Sequence, residues 1–152
     1  MDSSVFIGPE ALPALAEMLS RPAVTRVFVL ADGNTARLCL PLLEKHLPPD
    51  YCLIEIPAGE EYKTLESCNT VWCTLTEQRA DRHAVLVNLG GGVVTDLGGF
   101  AAALYKRGIR FAQVPTTLLA QVDASVGGKT GVDFQGYKNQ ARRVSGAGRR
   151  VY

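Results

Sequence analysis

Short runs of apolar, β-branched residues alternate along this chain with longer stretches whose apolar residues recur at helical spacing. Arg26–Leu30 is such a run, and it stops at Ala31-Asp32-Gly33-Asn34, which predicts a strand ending in a turn. From Thr35 to Leu47 the apolar Leu38, Leu42 and Leu43 fall at helical spacing until Pro48-Pro49 closes the segment. Tyr51–Ile56 predicts a second strand, closed by Pro57 and Gly59, and Thr64–Gln78 a second helix with Thr64 as its N-cap. Ala84–Leu89 is apolar enough to be a strand buried on both faces. Gly90-Gly91-Gly92 then turns the chain into a helix over Asp96–Tyr105. Arg110–Val114 predicts a fourth strand and Thr116 to about Ser125 another helix, while Val5–Gly8 adds an edge strand and Glu10–Ser20 a helix.

Strand followed by helix, four times over, predicts an α/β fold: a Rossmann-like parallel sheet with right-handed crossovers and helices on both faces. The 152 residues suit one domain of ordinary size. We read residues 1–139 as that domain and 140–152 as an irregular basic tail, because Arg142, Arg143, Arg149 and Arg150 crowd there without apolar periodicity. Those four arginines also account for the formal charge of +1, since the remainder of the chain is net negative. With no aromatic interleaving and no basic face to extend it, the tail does not read as a nucleic-acid or membrane arm. No apolar run reaches the length needed to span a bilayer. The N-terminus has an acidic residue at position 2 and no basic leader, so a cytoplasmic location is expected. Cys39, Cys52, Cys68 and Cys73 form no C-x-x-C pair and read as free thiols of a reducing compartment, with Cys68 and Cys73 on different helix faces.

In an open α/β sheet, ligands bind beyond the carboxyl ends of the strands. Here those ends carry Asp32-Gly33-Asn34, Gly59-Glu60-Glu61-Tyr62-Lys63, the triple glycine, and Pro115-Thr116-Thr117. Each alone could be ordinary turn chemistry. Four along one sheet edge predict a groove of dinucleotide size. Glycines let backbone N–H groups approach a pyrophosphate, and a helix N-terminus favours its charge. The segment Gly90-x-Gly92-x-x-Thr95 departs from G-x-G-x-x-G at its third glycine and has no acidic residue some twenty positions on, so Asp32 is the better ribose candidate. Asp96 reads as a carboxylate in a helix first turn. Lys106 and Arg107 can be a solvated helix end. Asp123 and Lys129, flanking Gly127-Gly128, suit an anionic, hydroxyl-rich substrate or equally a structural salt bridge.

The run GGGVVTDLGGFAAALYKRGIRFAQVPTTLLAQVDASVGGKTGVDFQGYKN closely resembles 3-dehydroquinate synthase, and DGNT (Asp32–Thr35) and PAGEEYKTLES (Pro57–Ser67) look like that family's other cofactor elements. The likeness covers about residues 5–139, with Thr95 and Gly98 standing where other members often have Gly and Ala. The resemblance implies a lyase of the shikimate pathway that converts the sugar acid phosphate DAHP to 3-dehydroquinate and phosphate, using NAD and a divalent zinc or cobalt ion. It implies NAD contacts at Asp32, Asn34, Glu60, Lys63, Gly91, Gly92, Val93, Asp96, Thr116 and Thr117. It places Asp123, Lys129, Lys138 and Asn139 between cofactor and substrate, and Arg107 at the substrate phosphate, across the interface of a homodimer.

After Asn139 the chain departs from the family. Members continue into a helical domain that supplies the metal ligands, one Glu and two His; His46 and His83 lie in the wrong places to be these, and no metal ligand is assigned here. The resemblance therefore implies a chain lacking that domain and inactive by itself, an expectation that a phosphate-release assay with DAHP, NAD and zinc would contradict by showing turnover. Rival readings are another sugar phosphate cyclase (a 2-deoxy-scyllo-inosose or valiolone-type synthase), a metal-dependent glycerol-type alcohol dehydrogenase, or a non-catalytic NAD-binding fragment.

Overall fold

A computed structural model describes residues 5–124, 129–134, 137–144 and 149–151, with side chains as far as Val122. The first helix-to-strand unit consists of β1 (Val5–Phe6), α1 (Ala11–Leu19) and β2 (Val27–Asp32). Next come α2 (Gly33–Leu38), α3 (Leu40–Leu43), β3 (Cys52–Ile56) and α4 (Leu65–Glu77). The glycine region follows, with β4 (Val85–Gly90), α5 (Gly92–Leu104) and β5 (Arg110–Pro115). A π-helical turn at Ala120–Ala124 precedes β6 (Lys129–Phe134), β7 (Tyr137–Val144) and β8 (Arg149–Val151).

Six strands form one sheet in the order β1-β8-β5-β4-β2-β3, and every pairing in it is parallel. β6 and β7 pair separately as an antiparallel hairpin. Strand alternation then dictates two cores. From β2, β3 and β4, Phe28, Leu30, Ile54, Ile56 and Leu86 face α4 and α5, where Cys68, Val71, Leu75 and Leu97 meet them. Their neighbours Val27, Val29, Ala31, Val85 and Val87 face the opposite way, onto Leu15 and Met18 of α1 and Leu40 and Leu43 of α3. Helices therefore cover both faces, as the pattern predicts. β2 pairs with β3 on one side and β4 on the other, so successive units wind outward in opposite directions from the β2–β4 boundary. That boundary is the switch point at which such sheets open a crevice.

Three helices differ from their sequence reading. The segment Thr35–Leu47 is not one helix: α2 stops at Leu38, α3 begins at Leu40 with Pro41 in its first turn, and a 3-10 turn follows at Glu44–His46. Proline lacks the N–H that would continue α2. The interruption turns the buried face, so that Leu40 and Leu43 are buried while Leu38 and Leu42 are exposed. The helix after the triple glycine begins at Gly92 rather than Asp96. The segment after Thr117 widens into the π-helical turn rather than a regular helix. The residues read as an irregular tail also differ. Residues 140–144 continue β7, and Arg149–Val151 lies between β1 and β5, because ladder hydrogen bonds need no apolar alternation.

The cysteines are free thiols, Cys68 buried and Cys73 exposed on opposite sides of α4. Burial pushes the Cys68 thiol up to about 12.

Candidate nucleotide-binding site

Two helices begin at the switch point. α2 starts directly from β2, and its first turn is closed by Asp32, whose Oδ1 accepts from the backbone N–H of Asn34 and of Thr35, both at 2.9 Å. The Thr35 hydroxyl accepts in return from the Asp32 N–H at 3.1 Å, completing a capping box, and donates to the Leu89 carbonyl at 3.0 Å. Asp32, read as the ribose candidate, thus spends one carboxylate oxygen on its own helix. Its Oδ2 has no hydrogen-bond partner among the described residues. Asn34 is exposed beside it.

α5 starts from β4 without any side-chain cap, Gly91 being its N-cap residue. The first N–H groups of a helix have no partner within it and carry the positive end of its dipole. Left uncapped beside backbone without side chains, they form a seat for an anion. The three glycines have different reasons. A Cβ on Gly90 would lie 2.6 Å from Cβ of Val94, so packing demands glycine there. On Gly91 it would press Cγ2 of Thr117 at 3.2 Å. On Gly92 it would meet nothing within 4 Å, and that residue has no left-handed backbone. Nothing within the described chain requires a glycine at 92.

Thr116 and Thr117 border this seat. The Thr116 N–H donates to the Gly90 carbonyl at 2.9 Å, and Thr117 Oγ1 accepts from the Ala120 N–H at 3.2 Å. Both threonines are exposed, as is Leu118 beyond them. Val93 is half-buried in the first turn.

Asp96 corrects the sequence reading. It lies beyond the first turn of α5, where its Oδ2 meets Nζ of Lys63 at 2.8 Å. The Lys63 side chain is 5% exposed and that of Asp96 18%. This ion pair fastens α5 to the segment after β3, where Gly59, with φ of 130°, leads into a 3-10 turn at Glu60–Tyr62 with Glu60 exposed. The structure therefore gathers Asp32, Asn34, Glu60, Lys63, Gly91, Gly92, Val93, Asp96, Thr116 and Thr117 along one sheet edge. Arg107 is not among them. It follows the far end of α5, a helix of 13 residues and so about 20 Å long. There Lys106 and Arg107 adopt φ of 45° and 67°, a strained left-handed pair ahead of Gly108. The side chains of Asp123, Lys129, Lys138 and Asn139 lie outside the described residues.

Beneath α5 lies a polar layer that the sequence reading passes over. Asn88 and Gln113 are partners in register on β4 and β5, fully or almost fully buried. Gln113 Nε2 donates to the Thr95 carbonyl at 2.9 Å. Among the described residues, Gln113 Oε1 and both amide atoms of Asn88 have no hydrogen-bond partner. The signal was available, since an amide in the middle of a strand buried on both faces is out of pattern.

A doubly wound parallel sheet whose switch point carries an uncapped, glycine-led helix is the architecture of a nucleotide-binding domain. Comparison with known proteins narrows this. Residues 53–144 match the family model described as 3-dehydroquinate synthase N-terminal. The 3-dehydroquinate synthase of Parabacteroides distasonis is 43% identical over 141 residues, covering 91% of this chain and 40% of that protein. The structure of 2-epi-5-epi-valiolone synthase from Streptomyces hygroscopicus, with NAD+ and Zn2+ bound, aligns at a TM-score of 0.84 and 32% identity over 99% of this chain and 42% of that one. A 2-deoxy-scyllo-inosose synthase complexed with carbaglucose-6-phosphate, NAD+ and Co2+ aligns at a TM-score of 0.87, covering 96% of this chain and 41% of that one, and at 23% identity it shows the shared fold. The chain belongs to the 3-dehydroquinate synthase family, and it spans about 40% of the length of the curated relatives it matches.

Proposed function

We propose that these residues, through position 139, form the NAD-binding part of a cytoplasmic, homodimeric 3-dehydroquinate synthase, a lyase converting DAHP to 3-dehydroquinate with loss of phosphate. The single observation that carries the reading is the N-terminus of α5, uncapped and led by Gly92 with open space where a Cβ would stand. Its N–H groups and dipole suit the pyrophosphate of NAD. Asp32, with one carboxylate oxygen spent on its own helix and the other without a partner among the described residues, suits a ribose hydroxyl. Higher identity to the Parabacteroides 3-dehydroquinate synthase (43%) than to the valiolone synthase structure (32%) favours this substrate class over the other cyclases.

NAD, when bound, supplies a hydride acceptor that takes and returns a hydrogen at the substrate carbon bearing the hydroxyl to be oxidised. The chain's own part is to hold and to orient. Gly91, Gly92 and Val93 offer backbone donors, Thr116 and Thr117 offer hydroxyls at the rim, and the Lys63–Asp96 pair fixes the neighbouring loop that carries Glu60. Asp123, Lys129, Lys138 and Asn139 follow the same edge in sequence and are proposed to lie between cofactor and substrate. Arg107 is proposed to reach the substrate phosphate of a second copy, since its distance from the glycine turn along α5 excludes the turn of its own chain. Among the described residues no three His, Cys, Asp or Glu side chains cluster as metal ligands, so the divalent ion is assigned no residue and no step here. Calorimetric titration with NAD+ tests the reading. Saturable one-to-one binding is expected, and no binding up to millimolar NAD+ would contradict it.

A further inference from the structure

We infer that Thr95, held in turn by Gln113, is a positioning residue for the glycine turn, aiming its backbone donors from below. This rests on the reading above only in naming NAD+ as the ligand that those donors meet. In a trans peptide the C=O of one residue and the N–H of the next point in opposite directions across the same plane, and no cis bond occurs among the described residues. Fixing a carbonyl inward therefore fixes the following N–H outward. At this turn, three successive carbonyls are held from the protein side. The Gly90 carbonyl accepts from the Thr116 N–H at 2.9 Å. The Gly91 carbonyl accepts from both the N–H and the hydroxyl of Thr95, each at 3.0 Å, and the Gly92 carbonyl lies 3.3 Å from the same hydroxyl. The outward partners of these carbonyls are the N–H groups of Gly91, Gly92 and Val93.

A threonine hydroxyl bonding back to the carbonyl four residues earlier is common in helices. Two features set this one apart. The hydroxyl sits within reach of two adjacent carbonyls, both belonging to the glycine turn. The Thr95 carbonyl is itself gripped by Gln113 Nε2 at 2.9 Å from the neighbouring strand, and both side chains are buried, Thr95 at 0% exposure and Gln113 at 2%. An unbroken line of hydrogen bonds thus runs from β5 through Thr95 to the ligand-facing turn.

The test combines backbone order parameters from 15N relaxation with NAD+ titration, using Thr95→Val, which keeps the shape and loses the hydroxyl, and Thr95→Ser, which restores it. Thr95→Val is expected to lower the order parameters of the Gly91, Gly92 and Val93 amides from about 0.85 to below about 0.7, leaving β4 and β5 amides rigid. It should weaken NAD+ about fivefold, and Thr95→Ser should recover both values to within about twofold of wild type. Gln113→Met should loosen the same three amides. Unchanged order parameters at these amides in both Thr95→Val and Gln113→Met would overturn the inference, as would a Thr95→Ser protein that behaves like Thr95→Val. If the wild-type chain binds no NAD+, the functional reading falls, while the order parameters still decide whether Thr95 aims the turn.

Discussion

α2 and α5 leave adjacent strands at the same sheet edge, yet they begin in opposite ways. α2 is closed by its own Asp32 in a capping box, so its first N–H groups are already satisfied. α5 has no side-chain cap and opens on glycines. Both ends carry the positive pole of a helix dipole, so the dipole alone does not mark a site. What marks it is donors that no described side chain claims, beside open space. α2 is a helix end finished by its own chain, and α5 is one that its own first residues leave open.

The difference breaks first if α5 is not held firmly from its sides. Lys63→Met would remove the ammonium that meets Asp96 at 2.8 Å and ties α5 to the loop after β3. The expected loss is about 3 kcal/mol of unfolding free energy, read from chemical denaturation. A loss below about 1 kcal/mol would mean that the loop after β3 does not anchor α5. Next in size is Gly98→Ala, whose methyl would stand 2.0 Å from Oδ1 of Asn88. Overpacking of this kind costs about 2 kcal/mol. Adding Asn88→Ala should recover most of that and remove an amide with no partner among the described residues, which measurement of the double variant checks. Smaller again is Asp32→Ala, expected to cost about 1 kcal/mol as α2 loses its cap, with Asp32→Asn close to wild type. An unchanged midpoint for Asp32→Ala would erase the contrast from the α2 side.

Much of this architecture was legible in the chain. The four strand-and-helix units follow from apolar runs separated by Gly, Pro and Asx turns, and the Thr64 cap of α4 was readable from its position, its hydroxyl accepting from the Ser67 N–H at 3.3 Å. The edge residues Asp32, Glu60, Lys63 and Gly92 could be gathered because a parallel sheet brings all strand carboxyl ends together. What was not legible depends on three-dimensional neighbours. Pro41 sits where periodicity alone continues a helix, so periodicity points Leu38 and Leu42 inward although both are exposed. Asp96 reads as a first-turn carboxylate only if all three glycines form a loop; Gly91 and Gly92 are instead the cap and first residue of the helix, which moves Asp96 into reach of Lys63. Gln113 and Thr95 are 18 positions apart, and only the strand register brings one under the other.

If α5 is left open for a ligand, the opening lies at Gly92, where a Cβ would meet nothing within 4 Å. Gly92→Ala should be measured by chemical denaturation and by NAD+ titration on the same preparation. Alanine is the better helix former, so the fold should be unchanged or more stable by up to about 1 kcal/mol. NAD+ affinity should nevertheless fall about tenfold, equivalent to about 1.4 kcal/mol. Wild-type NAD+ affinity in a stably folded Gly92→Ala protein would show that the open space at Gly92 is not where the ligand sits.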